Sequence, residues 1–446
     1  MDIQEKYIVK TLDLTGNHET KKVVVPGSKS ITNRALFLAA LSNKICIIEG
    51  ALFSDDSRVF ANALIELGYQ VELYEDDKRA VVYGNNGKIP NNSGEIYVGS
   101  AGTAARFLTA MLGFSDGEYI INASSQMENR PMSDLLSLLK DAGAEITCLK
   151  NEGCLPVKIK GVMHKDNFYE SNVVHSDFPQ VNLDISKSTQ FLSALLMTSS
   201  MLKKNFKINI TSEKKQGSYI EITRKLMNDF GISTAYDGNS YIVIYNDNLE
   251  EVVEFKYYVE PDVSAASYFY AAAMICGFSV QVKGVYEDSM QGDIKFLKVL
   301  EKMGGKITNH KDGIIFTGPE NGKYNGININ MNDFSDQALT LSVVAAYGET
   351  PTVISGISHI RGQESDRITA MVTELRKTGI KCEEYPDGVK IIPGVVHGAE
   401  IYTYDDHRVA MAFSLLGLKT PGIIIINPAC TKKTFENYFE VFEGLY

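Results

Sequence analysis

The chain has 446 residues, of which 44% are hydrophobic and 22% are charged, proportions typical of a globular protein. This length favours two domains over one. The net charge of −11 argues against nucleic acid as the main partner. It does not exclude a small anionic ligand, because basic residues can gather in one pocket of an acidic protein. The positions of the basic residues are therefore more informative than their number.

We expect neither a membrane span nor a secretion signal. No apolar run is long enough to cross a bilayer, and the opening residues MDIQEKYIV lack a basic region followed by a long apolar core. The six cysteines form no CxxC pair and do not cluster with the seven histidines, which argues against a disulfide framework or a metal site. These features predict a cytoplasmic protein that needs no metal or organic cofactor.

Six segments of mostly small and apolar residues are predicted to form helices, and each opens with a polar turn. In chain order they are Ser28–Leu41, Ser100–Leu112, Ser186–Met197, Asp262–Ile275, Ser335–Ala346 and Asp405–Leu418. Their starts lie roughly 70 to 85 residues apart, a longer period than that of common solenoid repeats. Each segment follows a short run with strand character.

A second, amphipathic helix is predicted after each apolar helix, with a strand between the two. Five of these second helices end at a glycine, which is the expected helix stop, and a strand follows. These junctions are Ile65–Glu72, Leu139–Thr147, Met227–Thr234, Leu300–Thr308 and Leu375–Glu383. The sixth copy reaches the carboxyl terminus through Thr434–Leu445. The pattern indicates six copies of a strand–helix–strand–helix–strand–strand unit.

The apolar helices are predicted to lie inside the protein, with the sheets outside them. A helix without a polar face should be buried on all sides, and this inverts the usual layering of α/β proteins. An ordinary pair of α/β domains, with chance similarity between their helices, is the alternative.

Polar residues open the apolar helices and form a candidate anion site. A helix amino terminus offers free N–H groups and the positive end of the helix dipole. Capping alone would explain Ser188 and Thr189. Lys29 and Arg34 oppose the dipole and therefore need a compensating anion. The full set is Lys29, Ser30, Arg34, Gly102, Thr103, Arg106, Ser188, Thr189, Gln190, Asp336, Asp406, His407 and Arg408.

Further charged residues lie at other junctions between loops and helices. They are Asp55, Asp56, Arg130, Glu364, Arg367 and Lys433. A surface ion pair is the alternative explanation for each of them. Taken together, several cations with two or three carboxylates match a site that binds phosphates and carboxylates and also moves protons.

Six motifs, in this order, resemble the EPSP synthase (3-phosphoshikimate 1-carboxyvinyltransferase) family over nearly the whole chain: VPGSKSITNRALFLAAL, GSAGTAARFL, RPMSDLL, QESDRI, DDHRVAMAFSL and CTKKTF. The resemblance implies a two-domain, inside-out α/β barrel that closes on its substrates. Each domain would hold three βαβαββ repeats, with buried parallel helices and the sheets outside. We expect residues 1–26 and 260–446 to form a discontinuous domain, and residues 27–259 to form the second.

The resemblance also implies an activity. It is the transfer of the enolpyruvyl (carboxyvinyl) group of phosphoenolpyruvate to the 5-hydroxyl of shikimate 3-phosphate, on the route to chorismate and aromatic amino acids. The products would be EPSP and phosphate. We expect a monomer that has these two small-molecule substrates and no nucleic-acid or membrane partner. Glyphosate should inhibit the enzyme, because Gly102 leaves the phosphoenolpyruvate pocket open.

The family's site roles transfer to matching positions of this sequence. By resemblance, Asp336 is the proton acceptor near the attacking hydroxyl, Glu364 is the proton donor, and Lys29 touches both substrates. The implied phosphoenolpyruvate contacts are Lys29, Gly102, Arg130, Gln190, Arg367, Arg408 and Lys433. The implied shikimate 3-phosphate contacts are Lys29, Ser30, Arg34, Ser188, Thr189, Gln190, Asp336 and Gln363.

Four departures from the family pattern leave part of the acceptor site open. Gln363 stands where the family often has lysine, and His359 stands where it often has asparagine. The loop Gln216–Tyr219 differs from the usual serine–lysine–proline–tyrosine type, and Ser100 replaces a common asparagine.

Two other functions remain as alternatives. A UDP-N-acetylglucosamine enolpyruvyl transferase shares the fold, but it typically has lysine–asparagine in place of Lys29–Ser30. It also usually has a reactive cysteine in the loop that here is Met127–Pro131 and contains none. A non-catalytic anion-binding relative is the second alternative. Asp336 and Glu364 argue against it, because buried carboxylates would weaken anion binding unless they transfer protons.

Overall fold

The computed structural model describes residues 5–13, 19–164, 179–246 and 253–446. The chain divides into two compact units. Unit 1 comprises Met1–Pro26 and Glu260–Tyr446, and unit 2 comprises Gly27–Val259.

The α-helices of the described residues fall into two sets. Those of unit 2 are α1 (Lys29–Leu41), α2 (Asp55–Glu66), α3 (Gly102–Gly113), α4 (Ser125–Glu128), α5 (Ser133–Asp141), α6 (Thr189–Thr198) and α7 (Ser218–Asp229). Those of unit 1 are α8 (Val263–Cys276), α9 (Lys295–Lys302), α10 (Ala338–Ala346), α11 (Arg367–Lys377), α12 (His407–Ser414) and α13 (Tyr438–Glu443).

Short 3-10 helices extend or connect these elements. They are Val162–His164, Ser199–Leu202, Gly292–Ile294, Glu320–Gly322, Ser335–Gln337, Ser358–Gly362, Leu415–Leu418 and Pro428–Lys433. Among the described residues, no helix combines the length and the apolar character needed to cross a membrane.

The strands are short and evenly distributed along the chain. In order they are β1 (Lys6–Ile8), β2 (Lys21–Val23), β3 (Ile45–Glu49), β4 (Val71–Tyr74), β5 (Arg79–Tyr83), β6 (Ser93–Tyr97), β7 (Glu118–Asn122), β8 (Glu145–Cys148), β9 (Val157–Lys160), β10 (Gln180–Leu183), β11 (Phe206–Ile210), β12 (Ser233–Tyr236), β13 (Ser240–Ile244), β14 (Glu254–Tyr258), β15 (Ser279–Val282), β16 (Lys306–Thr308), β17 (Ile315–Thr317), β18 (Asn328–Asn330), β19 (Thr352–Ser355), β20 (Lys381–Tyr385), β21 (Gly388–Ile392), β22 (Glu400–Tyr402) and β23 (Ile424–Ile426).

The predicted inside position of the apolar helices is confirmed. Every residue of α3 and of α10 is buried, and so is every residue of α8 except its last. In unit 2, helices α1, α3 and α6 pack on one another, and in unit 1 helix α10 contacts both α8 and α12. These helices have no polar face to present to water, so burial on all sides is their stable arrangement.

Each unit surrounds its apolar helices with small sheets of a common pattern. In unit 2 the strand orders are β14-β3-β5-β4, β6-β7-β9-β8 and β10-β11-β13-β12. In unit 1 they are β16-β17-β15-β2, β18-β19-β21-β20 and β1-β23-β22. Every sheet has one parallel pair, and its remaining pairs are antiparallel.

The repeat is less regular than six identical copies. Strand β2 precedes α1 in the chain, yet it pairs with β15 of unit 1, with Lys22 opposite Gln281. Strand β14 precedes α8, yet it pairs with β3 of unit 2, with Lys256 opposite Ile47. The first and fourth copies have therefore exchanged their first strands.

The sixth sheet differs from the other five. It has three strands, and the amino-terminal β1 supplies its antiparallel pair, with Tyr7 opposite Ile425. The Tyr7 ring also lies against Phe439, with 4.1 Å between ring centroids. The sixth copy, predicted to reach the carboxyl terminus through Thr434–Leu445, therefore takes its antiparallel strand from the amino-terminal segment.

The predicted glycine stops follow their amphipathic helices. Gly304, two residues after the end of α9, has a φ of +122°. A residue with a side chain rarely adopts that conformation. The positive φ of Gly304 directs the chain back toward β16.

Candidate active site

In unit 2, two guanidinium groups lie against Gly102 at the start of α3. A Cβ atom added to Gly102 would be 2.6 Å from Arg106 Nη1 and 3.0 Å from both terminal nitrogens of Arg130. Such distances are too short for a side chain, so glycine is the residue that permits this close approach.

Arg106 connects this position to Gln190 at the start of α6. Its Nη1 donates to the Gln190 Oε1 and to the Gly102 carbonyl oxygen, both at 3.1 Å. The Arg106 guanidinium also lies 5.7 Å from the centre of the Phe191 ring. Arg106 therefore fixes the orientation of the Gln190 amide.

Arg130 has an unused hydrogen-bond donor. Its Nε is buried and has no hydrogen-bond partner among the described residues. A buried donor left unsatisfied costs about 1–3 kcal/mol. An anion at this position would remove that cost, which makes Arg130 a strong candidate for ligand binding.

Lys29, the first residue of α1, is held by a carboxylate from the next helix. Its Nζ lies 3.2 Å from Asp56 Oδ2, in the first turn of α2. The Lys29 side chain is 17% exposed and that of Asp56 is 5% exposed. The ammonium is thus partly shielded, but it is still accessible to a ligand.

Arg34 is almost completely buried, with only 1% of its surface exposed. Its Nε donates to Thr223 Oγ1 at 2.8 Å, and its Nη1 donates to the Ser30 carbonyl oxygen at 2.9 Å. Its Nη2 lies near Ser193 Oγ and the Tyr219 carbonyl oxygen. Burial lowers the pKa of Arg34 to about 10, because these partners are neutral.

The residues at the start of α6 combine a capping role with a position beside a loop. Ser188 Oγ accepts a hydrogen bond from the Gln190 backbone N–H at 3.2 Å, so Ser188 caps the helix. Thr189 lies next to the loop Gln216–Tyr219. A Cβ atom added to Gly217 would be 3.5 Å from Thr189 Cγ2.

In unit 1, Arg367 uses every N–H donor of its guanidinium on protein acceptors. Nε and Nη2 contact the two oxygens of Asp406 at 2.8 and 3.2 Å. Nη1 contacts Asp336 Oδ1 at 3.0 Å and also Gln363 Oε1, and Nη2 contacts Glu364 Oε2 at 2.9 Å. Five contacts match the five donors of an arginine.

The charge of Arg367 is stabilised by these carboxylates. Burial alone would lower the pKa of Arg367, but the charges of Asp406, Glu364 and Asp336 raise it above its ordinary value. Arg367 therefore acts as a fixed cation that orients the carboxylates around it.

Asp336 lies between two guanidinium groups. Its Oδ1 contacts Arg367, and its Oδ2 accepts from Arg408 Nη2 at 2.9 Å. Asp336 belongs to the short turn before α10, and Arg408 lies in the first turn of α12. Arg367 is the first residue of α11, so three helix starts bring this carboxylate and its two cations together.

Glu364 lies between Arg367 and Lys433. Its Oε1 is 3.5 Å from Lys433 Nζ, and both side chains are largely buried. The Lys433 ammonium has no hydrogen bond in the described part of the chain. It can therefore accept an anionic ligand without losing an existing hydrogen bond.

The two family departures in this region have partners within unit 1. Gln363 accepts from Arg367, and His359 Nε2 lies 2.8 Å from Ser335 Oγ, next to Asp336. His359 is far from Asp336 in sequence, but it contacts the residue directly before this candidate proton acceptor.

Comparison with known proteins identifies the family. The family model for EPSP synthase (3-phosphoshikimate 1-carboxyvinyltransferase) matches residues 15–442. A 3-phosphoshikimate 1-carboxyvinyltransferase from Trichormus variabilis is 41% identical over 421 residues, 94% of this chain and 95% of that protein. The chain belongs to the EPSP synthase family. The predictions of this family and of a transferase activity are confirmed.

Solved structures confirm the fold class. EPSP synthase from Acinetobacter baumannii aligns with a TM-score of 0.76 at 23% identity, covering 99% of this chain and 98% of that one. The enolpyruvyl transferase NikO from Streptomyces tendae aligns with a TM-score of 0.71 at 14% identity, covering 99% of this chain and 98% of that one. At these identities the likeness concerns the fold alone.

The structure groups most of the predicted site residues within their own unit. In unit 2, Gly102, Arg130 and Gln190 are neighbours through Arg106, while Ser30 and Arg34 form a second group. In unit 1, the predicted residues Asp336, Gln363, Glu364, Arg367, Arg408 and Lys433 form one cluster.

The structure gives three of the candidate residues a partner that the sequence did not predict. Asp56 pairs with Lys29, Arg106 orients Gln190, and Asp406 pairs with Arg367. All three lie in or beside the first turns of helices. That position singled them out as charged residues, but only the folded structure shows which partner each one has.

Proposed function

We propose that this chain transfers the carboxyvinyl group of phosphoenolpyruvate to the 5-hydroxyl of shikimate 3-phosphate and releases phosphate. The observation that carries this proposal is the unit 1 cluster of Asp336, Glu364, Arg367, Arg408 and Lys433. It holds two carboxylates in fixed, different environments beside cations that can bind anionic groups. Family membership supports the same reaction.

The reaction needs one base and one acid. The 5-hydroxyl oxygen bonds to C2 of phosphoenolpyruvate while its proton moves to the base, and the acid protonates C3. The tetrahedral adduct then loses phosphate from C2 and a proton from C3, which restores the vinyl group. Asp336 is the proposed base and Glu364 the proposed acid, with general acid–base catalysis worth about 10²–10⁴-fold in rate.

The cations bind and orient the negatively charged substrate. We assign Arg130, Arg408 and Lys433 to the phosphate and carboxylate of phosphoenolpyruvate, together with Lys29, Gln190 and the open space at Gly102. The unsatisfied donors of Arg130 and Lys433 support this assignment. Fixing both reactants in place can lower the barrier by about 7–11 kcal/mol at best. Arg367 is part of the same proposal, although its contacts with protein carboxylates favour an orienting role.

The proposed acceptor contacts in unit 2 lie near two helix starts. Ser30, Ser188, Thr189 and Gln190 lie at the starts of α1 and α6, where backbone N–H groups favour an anion, and Arg34 lies one turn further along α1. Gln363 supplies a neutral amide, and a lysine-type contact is therefore not available at that position. Lys29 is the cation proposed to touch both substrates.

Phosphate release from phosphoenolpyruvate tests the proposal. Purified protein would be given shikimate 3-phosphate or UDP-N-acetylglucosamine as acceptor, without added metal. Release only with shikimate 3-phosphate supports the proposal. Release only with UDP-N-acetylglucosamine would establish the alternative enolpyruvyl transferase, and release with neither would contradict both.

Three further properties stay predictions at this point. We expect a monomer, a cytoplasmic location and no nucleic-acid partner. Sedimentation of the purified protein tests the first of these directly.

A further inference from the structure

Asp293 is a partly buried carboxylate that lies beside the unit 1 cluster and has no part in the reaction described above. It belongs to the short 3-10 turn Gly292–Ile294 that precedes α9. Its Oδ2 accepts a hydrogen bond from Ser264 Oγ. Ser264 Oγ lies 3.5 Å from Arg408 Nη2, which contacts Asp336 Oδ2 at 2.9 Å. These contacts connect Asp293 to the proposed base.

Neighbouring hydrogen bonds fix the turn that carries Asp293. The Gln291 side chain accepts from the Val263 backbone N–H at 3.1 Å and donates to the Pro261 carbonyl oxygen at 2.8 Å. Ser289 Oγ donates to Glu260 Oε2 at 2.6 Å. The turn is therefore tied to the segment that begins α8, the helix that carries Ser264.

The charged groups around Asp293 come from several elements. Asp262 caps α8, Asp336 and Arg408 come from the unit 1 cluster, and Lys295 follows in the chain but pairs with Asp333 at 3.0 Å. Burial and then the negative charge of Asp336 raise the pKa of Asp293 to about 6, and Asp262 adds to the rise. Arg408 and the hydrogen bond from Ser264 act in the opposite direction.

Interaction between two ionisable groups is reciprocal. If the charge of Asp336 disfavours ionisation of Asp293, the charge of Asp293 favours protonation of Asp336. This matters because Asp336 contacts two guanidinium groups, and such contacts stabilise a carboxylate and weaken it as a base. A second carboxylate close by offsets part of that effect.

We propose that Asp293 is a positioning residue for this reaction. It holds Arg408 through Ser264, and its negative charge strengthens Asp336 as the acceptor of the hydroxyl proton. This inference rests on the proposed function, in which Asp336 takes that proton and returns it to solvent after each turnover.

Asp293→Asn removes the charge but keeps the shape and an oxygen that can accept from Ser264. We expect kcat to fall about 10- to 100-fold, within the range of acid–base effects, and KM for each substrate to change less than about threefold. The acid limb of the kcat/KM profile should move to lower pH, because in the native protein Asp293 takes up its proton near pH 6 and its charge then no longer strengthens Asp336. Asp312→Asn is the matched control, an exposed carboxylate of the same unit outside the cluster.

Ser264→Ala separates the two parts of the proposal. It removes the hydroxyl between Asp293 and Arg408 but leaves the charge of Asp293. We expect a lower kcat with little movement of the acid limb. An acid limb that stays in place in Asp293→Asn would overturn the proposal even if kcat falls, because a merely structural residue would behave in that way.

A measurement without turnover makes the two proposals separable. In protein labelled with ¹³C at the aspartate carboxyl carbons, the Asp293 resonance, assigned with Asp293→Asn, should titrate near pH 6 in the native protein and at lower pH in Asp336→Asn. An unchanged midpoint would overturn the role of Asp293. If Asp293→Asn does not fold, the native protein alone can still test the role of Asp293. Asp293 and Asp336 should show coupled titration. Independent titration would overturn the proposal. Native protein that shows this coupling but transfers no carboxyvinyl group would instead overturn the proposed function.

Discussion

Arg367 and Asp406 form a two-point ion pair in which both side chains are almost completely buried. The guanidinium Nε and Nη2 contact the two carboxylate oxygens at 2.8 and 3.2 Å, and the exposed fractions are 2% and 0%. Arg367 also contacts Asp336 and Glu364. The Asp406 carboxylate thus anchors the cation that orients both proposed catalytic groups.

Asp406→Asn should destabilise the protein strongly. Removing one member of a buried ion pair leaves a desolvated charge and costs about 3–5 kcal/mol. Urea unfolding should show this loss in the free energy of unfolding. Glu383→Gln, which breaks the exposed pair of Glu383 with Lys390, should cost less than about 1 kcal/mol. Equal effects of the two substitutions would contradict the role given to Asp406.

Gly102→Ala should weaken both phosphoenolpyruvate binding and inhibition by glyphosate. The added methyl group would meet Arg106 at 2.6 Å and Arg130 at 3.0 Å, so these guanidinium groups must move. We expect the KM for phosphoenolpyruvate and the inhibition constant for glyphosate each to rise about tenfold or more, equivalent to about 1.4 kcal/mol of lost binding.

Gly94→Ala is the control for that substitution. Gly94 lies in β6 of the same unit, and a Cβ there would meet no atom within 4 Å. It should leave both constants unchanged. Inhibition constants that are the same in native and Gly102→Ala protein would refute the proposed contact at Gly102.

Asp336→Ala should keep shikimate 3-phosphate binding and lose turnover. The variant removes the proposed base, and general base catalysis contributes about 10²–10⁴-fold to rate. Calorimetric titration would measure binding of shikimate 3-phosphate, and phosphate release would measure turnover. Turnover close to the native rate would remove Asp336 from the mechanism.

Asp293 should make stability fall as pH rises. Its pKa is about 6 in the folded protein and has an ordinary value of 3.8, so the folded state binds more protons than the unfolded state between these values. The contribution of Asp293 is therefore favourable below about pH 4 and is lost as pH rises to about 6. Asp293→Asn lacks this change. In urea unfolding, the variant should gain on the order of 1 kcal/mol over the native protein between pH 4.5 and pH 7.5. A constant difference between the two proteins would contradict the pKa of Asp293.

The buried helices could be predicted from sequence because their signal is local. The fourth apolar helix was expected at Asp262–Ile275 and occurs at Val263–Cys276, with Asp262 as its cap. The fifth was expected from Ser335, but its first three residues form a 3-10 turn and α10 begins at Ala338. Polar residues at the start of an apolar run leave the exact first turn undetermined.

Strand partners could not be predicted in the same way. The exchange of β2 and β14 between the first and fourth copies and the use of β1 to complete the sixth sheet depend on strands far apart in the chain. Alternation along one strand shows which face is buried, but it does not identify the neighbouring strand.

The candidate site could also be predicted only in part, because its residues carry local signals but its pairings do not. Charged residues at helix starts were recognisable, since a cation there opposes the helix dipole. The pairing of Arg367 with Asp406 and of Arg106 with Gln190 joins residues 39 and 84 positions apart. Such pairs become visible only when the apolar helices are packed together.

The most direct test of the central claim is identification of the product formed by native protein. Phosphoenolpyruvate labelled with ¹³C at C3 would be incubated with shikimate 3-phosphate and followed by NMR. We predict a labelled vinyl CH₂ group in an ether at the 5-position of shikimate 3-phosphate, with one phosphate released for each ether formed. Labelled pyruvate with unchanged shikimate 3-phosphate would contradict it.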